Sequence, residues 1–260
     1  LSNEVEGVIL AAGKGTRMRP YSNAVNKEMS LIGSSPVIEY NVRALASCGV
    51  KKVYVVLSDR KEQIMEFLRN GEEFGVNVAY LYQDMEKGKG TAKAIEVAEP
   101  WISDNFMVIY GDSFFHPTHF FLDMIRFHQE ESAYVTMGIY LMSEHKDYGI
   151  VKLKNNEVED ILEKASEDRL KEVKVDGMYP VNSGPILFSK SAFDYIKKTK
   201  ISPAGEYWLT DSIRLMVEDG KKVLGFIIPR DVFWRDIGRM EQRIEAERYY
   251  LQHINKMKKP

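Results

Sequence analysis

Gly7-Val-Ile-Leu-Ala-Ala-Gly-Lys-Gly-Thr-Arg-Met-Arg-Pro20, with Lys27 ten residues beyond Arg17, decides how this chain is read. A short apolar, β-branched run passes directly into glycines and then into cations, which is how a buried strand delivers its end to an anion. Gly13 and Gly15 lack a Cβ, so the backbone can bend there and turn successive N–H groups toward one oxygen. Arg17, Arg19 and Lys27 add full positive charge beside those partial ones. Two familiar phosphate loops are excluded. There is no G-x-x-x-x-G-K-[ST], and G-x-G-x-x-G fails where Met18 replaces the third glycine.

Outward from this loop, strand-like apolar runs alternate with segments of helical period through the first half of the chain. Residues 5–12, 53–57, 76–82 and 106–110 read as strands, and 36–47, 60–69 and 91–98 as helices. Pro36 suits a first helical turn and Gly49 a C-terminal stop, while Ile64, Phe67 and Leu68 are expected to face inward. The alternation predicts an α/β, Rossmann-like and mostly parallel sheet flanked by helices, followed by a β-rich second half. We divide a single domain of 1–260 into residues 1–113, 114–238 and a terminal helix at 239–260. In such sheets ligands collect beyond the carboxyl ends of the strands. The first loop, the stretch from Gln83 to Gly90, and Gly111-Asp112 all lie at that edge.

Composition narrows the function. The chain has 260 residues, 44% of them hydrophobic, and a formal net charge of −2, so no global basic field is available to hold nucleic acid. No apolar run approaches a membrane span, and one cysteine, Cys48, excludes an internal disulfide. These features lead us to expect a cytoplasmic protein without membrane or nucleic-acid partners. Met107-Val-Ile-Tyr-Gly-Asp112 places a carboxylate at the end of a buried strand, where it can hold a divalent cation without crossing the core. Read without context, Gly-Asp is a turn pair before it is a metal ligand.

Leu10-Ala-Ala-Gly-Lys-Gly-Thr-Arg-Met-Arg-Pro20 followed by Lys27 resembles the signature of the sugar-1-phosphate nucleotidyltransferases, which make nucleoside-diphosphate sugars. Further matches follow in order: Gln83 with Gly90-Thr-Ala-Lys-Ala94, Gly111-Asp112, Tyr148-Gly149, Glu163-Lys164, Asn182-Ser-Gly184, Gly205-Glu-Tyr-Trp-Leu-Thr-Asp211 and Phe233-Trp-Arg-Asp-Ile-Gly238. The last resembles the family's W-x-D-x-G. The resemblance implies a nucleotide site at Leu10, Ala11, Ala12, Gly13, Gly15, Thr16, Gln83, Gly90 and Thr91. It implies a sugar-phosphate site at Tyr148, Gly149, Glu163, Lys164 and Asn182, with Mg²⁺ on Asp112 and Asp236. Arg17, Lys27 and Asp112 would be catalytic. Substrates would be an NTP, dTTP or UTP, and a sugar 1-phosphate with glucose as default; homo-oligomers are common in the family.

Two departures stand out. Asn26 and Glu28 flank Lys27 where many members have prolines, so this loop is expected to be less rigid, and Ala165 replaces the proline after Glu163-Lys164. A glycosyltransferase of related fold would need D-x-D after the fourth strand, and Asp112-Ser-Phe114 lacks the second acid. A catalytically silent, nucleotide-sugar-binding relative is the other alternative. His116 and His119, three apart with no further ligand nearby, read as polar tips at a helix start rather than zinc ligands. The terminal segment 238–258 reads as a helix with Met240, Ile244, Leu251 and Ile254 on its packing side.

Overall fold

The computed structural model describes residues 4–143, 148–162 and 170–254. Its organising strand is β1 (Glu6–Leu10), buried from end to end. Val8, Leu10 and Ala12 enter one hydrophobic core and Ile9 and Ala11 the other, so the unbroken apolar run reflects a strand covered on both faces. β4 (Lys52–Leu57) pairs parallel to β1, and β5 (Asn77–Tyr82) parallel to β4. The chain then returns to place β6 (Phe106–Tyr110) parallel to β1 on its opposite side. This reversal puts a crevice between the carboxyl ends of β1 and β6.

The α/β architecture is as expected, and the parallel run covers β5, β4, β1 and β6. Beyond them the sheet is mixed, in the order β5-β4-β1-β6-β11-β8-β12-β10-β9. Here β11 (Tyr179–Phe188) is antiparallel to both β6 and β8 (Val135–Met142). β12 (Val223–Ile227) pairs parallel to β8, and β9 (Ile150–Lys154) and β10 (Glu157–Leu162) form a hairpin. The hairpin turns on Asn155, whose φ of 55° is one that asparagine tolerates.

Helix boundaries moved for local reasons. α1 (Val37–Ser47) starts after Pro36, which is extended and pairs in β3 (Ser35–Pro36) with β2 (Leu31–Ile32). α2 (Glu62–Leu68) is shorter than expected because Arg60 and Arg69 both have positive φ. α3 (Thr91–Glu96) and α4 (Phe120–Glu130) follow, with His119 at the N-cap of α4. None of the described helices is long and apolar enough to cross a membrane.

A small second sheet carries most consequence for the site. β7 (Ser113–His116) pairs antiparallel with β13 (Phe233–Asp236), setting Asp236 opposite Ser113. Trp234 of β13 is buried against Phe115, Tyr140 and Tyr148. After α5 (Phe193–Ile196) and α6 (Leu209–Glu218), the last regular helix, α7 (Met240–Tyr249), lies against β13. Its packing side is the expected one at Met240 and Ile254 but not at the other two positions. Ile244 and Leu251 are exposed, whereas Ala246 and Tyr250 are buried. Polar anchors set the rotation: Arg235 makes a two-pronged ion pair with Glu245, and Glu247 accepts the Gly33 amide. The helix then widens to a π turn at Tyr250–Ile254, which shifts these residues around the axis. His116 of β7 contacts the Tyr249 hydroxyl, and Cys48 caps α1 half-buried, its thiol pushed up by burial.

His128 of α4 is buried with Nδ1 2.8 Å from the Thr136 hydroxyl, and burial pushes its imidazole down from 6.5 to about 4. A depressed folded value makes the neutral ring stabilising above the unfolded pKa and costly below it. Stability is therefore expected to fall as pH drops from 6.5 to about 4, by on the order of 3 kcal/mol from this group. Urea unfolding across that window should show a flatter pH slope in His128→Gln. An unchanged slope would contradict the assignment.

Candidate functional site

The loop after β1 is pinned before it reaches solvent. Ala11 donates its amide to Val56 O, Ser58 Oγ donates to Ala12 O, and Gly111 donates its amide to Leu10 O. Leu10, Ala11 and Ala12 are thus buried supports, and the chain emerges at Gly13 and Lys14. Gly15 has φ 63°, and Ser22 Oγ donates to its carbonyl at 2.7 Å, closing the loop over the 3₁₀ turn Thr16–Met18. Arg17 and Arg19 of this loop are exposed. Lys27 folds back under it, with Nζ 3.4 Å from where a Cβ on Gly13 would sit. Lys27 thus passes Gly13 at van der Waals contact distance. A cleft of about 600 Å³ opens here, lined by Gly13, Lys14, Arg19, Ser22, Lys27 and Lys61 among others. That volume suits a nucleotide-sized ligand.

Lys27 Nζ lies 2.5 Å from Asp112 Oδ2. Burial alone would push the Asp112 carboxyl up; the Lys27 ammonium outweighs it by charge and hydrogen bond and holds the group below the usual range. The same burial opposes charge on Lys27, but Asp112 and Glu28 raise its pKa nonetheless. Asp112 itself sits in a turn held by Asn41 of α1, whose Nδ2 donates to Tyr110 O and Gly111 O. Asp236 reaches the same place through the β7–β13 register, and the Ile237 amide donates to Asp112 O at 2.7 Å. Burial, then the nearby Asp112 charge, push the Asp236 carboxyl up, with the Tyr148 hydroxyl, Arg17 and Lys27 opposing. Two carboxylates brought together at this cost can serve a hard cation, whose charge removes the repulsion.

The expected looseness around Lys27 is corrected by a brace. Asn26 donates its amide to Gln63 Oε1 and its Nδ2 to Arg60 O, and Gln63 Nε2 donates to Ala24 O. Beneath these, Lys61 Nζ and Glu28 Oε2 form a 2.7 Å ion pair in which both side chains are buried. Burial pushes the Glu28 carboxyl up, with Lys61 and Lys27 opposing. The turn before α2 thus does the stiffening that prolines would otherwise do. Glu28 was noted in the sequence only as a neighbour of Lys27 and Lys61 not at all, because the pairing spans 33 residues and each charge alone reads as solvated.

Gln83 is buried at the end of β5, its Nε2 donating to the carbonyls of Gly88 and Gly90. Gly90, with φ 104°, leaves no room for a Cβ, which would meet Tyr207 O. Thr91 Oγ1 accepts the Leu209 amide, so that hydroxyl supports the start of α6. Asn182 lies in β11 beside a bulge and accepts the Gly184 amide. Tyr148 turns its hydroxyl to Asp236 Oδ1 at 2.6 Å, with Gly149 following it. Arg17, Lys27, Asp112, Asp236 and Tyr148 therefore converge, with Gln83 and Gly90 at the neighbouring strand end. Glu163 and Lys164 lie outside the described residues. Gln242 of α7, missed in sequence, also bonds Asp236; its only signal is a position one helical turn beyond W-x-D-x-G.

Residues 6–253 match the nucleotidyl transferase family. The chain is 30% identical, over 96% of its length, to a bifunctional sugar-1-phosphate nucleotidylyltransferase/acetyltransferase of Sulfurisphaera tokodaii, and covers 56% of that protein. It is 28% identical over 96% of its length to the bifunctional protein GlmU of Methanococcus vannielii, again covering 56% of it. The chain thus spans a little over half the length of these relatives. It is 25% identical to a glucose-1-phosphate thymidylyltransferase of Neisseria meningitidis, matching 93% of this chain and 81% of the relative. In fold it superimposes on a UDP-glucose pyrophosphorylase solved with UDP-glucose, at TM-score 0.80, 22% identity and coverage of 96% and 99% of the two chains.

The brace has a measurable signature. Lys61→Met leaves Glu28 buried and unpaired and is expected to cost about 3–5 kcal/mol in urea unfolding. Lys61→Met combined with Glu28→Gln should recover more than half of that loss. Additive losses in the double variant would show that the two groups do not depend on each other.

Proposed function

The chain belongs to the nucleotidyl transferase family, and from that premise we propose that it moves a nucleotidyl group from a nucleoside triphosphate to a sugar 1-phosphate, releasing pyrophosphate. The observation that carries this reading is the convergence of Arg17, Lys27, Asp112 and Asp236 at the mouth of the β1–β6 crevice, beside a cleft of about 600 Å³. The named activities of the Sulfurisphaera tokodaii and Neisseria meningitidis relatives are of this class.

Both reactants are anions, so the site's task is to neutralise and align them. A phosphate oxygen of the sugar phosphate attacks the α-phosphorus, the bond from that phosphorus to the bridging oxygen breaks, and its electrons leave with pyrophosphate. No general base is needed, because the attacking phosphate is already ionised. Backbone amides of the Gly13-to-Thr16 loop bind the departing phosphates and Arg17 neutralises them. Lys27 shifts from Asp112 to the α-phosphate as charge develops there. Asp112 and Asp236 would hold Mg²⁺, which supplies electrostatic stabilisation of the phosphates when bound; two carboxylates are few ligands, as Mg²⁺ sites completed by phosphate and water require. Tyr148, Gly149, Asn182, Glu163 and Lys164 are assigned to the sugar phosphate.

Base choice follows from Gln83. Since Nε2 is committed to two carbonyls, Oε1 is the atom left for a ligand, and an acceptor suits the imide N–H of thymine or uracil. We therefore favour dTTP or UTP; glucose 1-phosphate as acceptor and a cytoplasmic location are what the family resemblance implies, and homo-oligomers are common in that family. The D-x-D position of a glycosyltransferase is occupied by Phe114, fully buried in the core.

Pyrophosphate release should require Mg²⁺, a triphosphate and a sugar phosphate together, and be greatest for dTTP or UTP in a matrix of nucleotides and sugar phosphates. Silence across the matrix from folded protein would overturn the reading. Lys27→Ala is expected to lower kcat by roughly 10²–10³; wild-type turnover in that variant would remove Lys27 from the chemistry.

A further inference from the structure

Asp236 is held by more than its strand. Its Oδ1 accepts two hydrogen bonds, from the Tyr148 hydroxyl at 2.6 Å and from Gln242 Nε2 at 2.8 Å. Gln242 Nε2 also reaches the Tyr148 hydroxyl oxygen at 3.1 Å, closing a triangle between β13, α7 and the segment just before β9. With Oδ1 engaged twice, Oδ2 is the oxygen left to meet a ligand. It faces Gly238, where a Cβ would sit 2.8 Å from Asp236 Oδ2, 3.4 Å from Arg17 Nη2 and 3.6 Å from Gln242 Oε1. Gln242 Oε1 is buried and has no hydrogen-bond partner among the described residues.

A buried acceptor without a donor costs about 1–3 kcal/mol unless something fills its place. Here the orphan oxygen, a carboxylate oxygen and a guanidinium nitrogen converge on the side of residue 238 that glycine leaves bare, where a side chain would meet all three. A water bound there finds polar partners of both kinds. Divalent cations held by few carboxylates keep several waters, and those waters donate to neighbouring acceptors.

We propose that Gln242 and Tyr148 are positioning residues for Asp236, and that Gln242 Oε1 accepts from a water of the hydrated divalent cation at the Gly238 cradle. The proposal rests on the assignment of Asp236 as a metal ligand. Nε2 of Gln242 fixes which carboxylate oxygen is offered, and Oε1 receives the hydrated ion. α7 then belongs to the site rather than only covering it. Partners that orient a metal ligand typically change metal affinity 10–100-fold when removed.

The test is Mn²⁺ alone, titrated into the full chain without nucleotide and followed by the electron paramagnetic resonance signal of the free ion. Asp236→Asn should abolish the site. Gln242→Leu is expected to weaken Mn²⁺ by about tenfold or more, and Tyr148→Phe by a few-fold to about tenfold. Metal-free Tm should stay within about 5 °C of wild type in both variants. If Asp236→Asn abolishes binding while Gln242→Leu and Tyr148→Phe leave it unchanged, the positioning role is overturned and the metal assignment stands. Binding indifferent to Asp236→Asn overturns both. Weakened binding that follows a large loss of metal-free Tm shows a merely structural role and also overturns the proposal.

Discussion

The Lys27 ammonium lies 2.5 Å from the Asp112 carboxylate, joining the loop that follows β1 to the turn that follows β6. Each partner is buried enough that its charge would be costly alone, and each keeps the other ionised. Attraction of this kind is worth about 4 kcal/mol at 4 Å in a partly screened site. A phosphate oxygen or a divalent cation can compete at that scale. The pair is therefore a ready arrangement of opposite charges that exchange of partners can separate, the cation going to phosphate and the carboxylate to metal. Gly13 lies directly over Lys27, and Asn41 fixes the other side by holding the Asp112 turn.

Around that pair, the fold adds supports from distant parts of the chain. The turn before α2 stitches the Lys27 segment in place through Asn26, Gln63 and the buried Glu28–Lys61 pair. The β7–β13 ladder brings Asp236 beside Asp112 across more than a hundred residues, and α7 locks Asp236 from the far side. A site meant to stabilise developing charge gains from such rigidity, because dipoles and charges already aimed do not have to reorganise during reaction.

How much of this was legible in the sequence depended on the range of the contact. The glycines, cations and buried strand around residues 7–20 announced themselves, because local backbone freedom and apolar burial are written in neighbouring residues. The parallel strands β1, β4, β5 and β6 were found for the same reason. The mixed second half was read only as β-rich, since pairing partners there are set by register and not by composition. Asp112 with Asp236 came from resemblance, not from spacing. Glu28 with Lys61 was invisible, as ion pairs across a fold leave no periodic trace. The face of α7 was misread at Ile244 and Leu251 because polar anchors and a π turn, rather than apolar period, fix its rotation.

The exchange of Lys27 between Asp112 and phosphate is the claim on which the rest stands, and nucleotide binding without metal tests it most directly. Calorimetric titration of dTTP and UTP in chelator would compare wild type with Asp112→Asn. Loss of the carboxylate frees Lys27 and removes a repelling charge, so this account expects the variant to bind triphosphate more tightly, by about tenfold or 1.4 kcal/mol. Equal or weaker binding by a folded Asp112→Asn protein would contradict it, because Lys27 would then not be a cation held in reserve for phosphate.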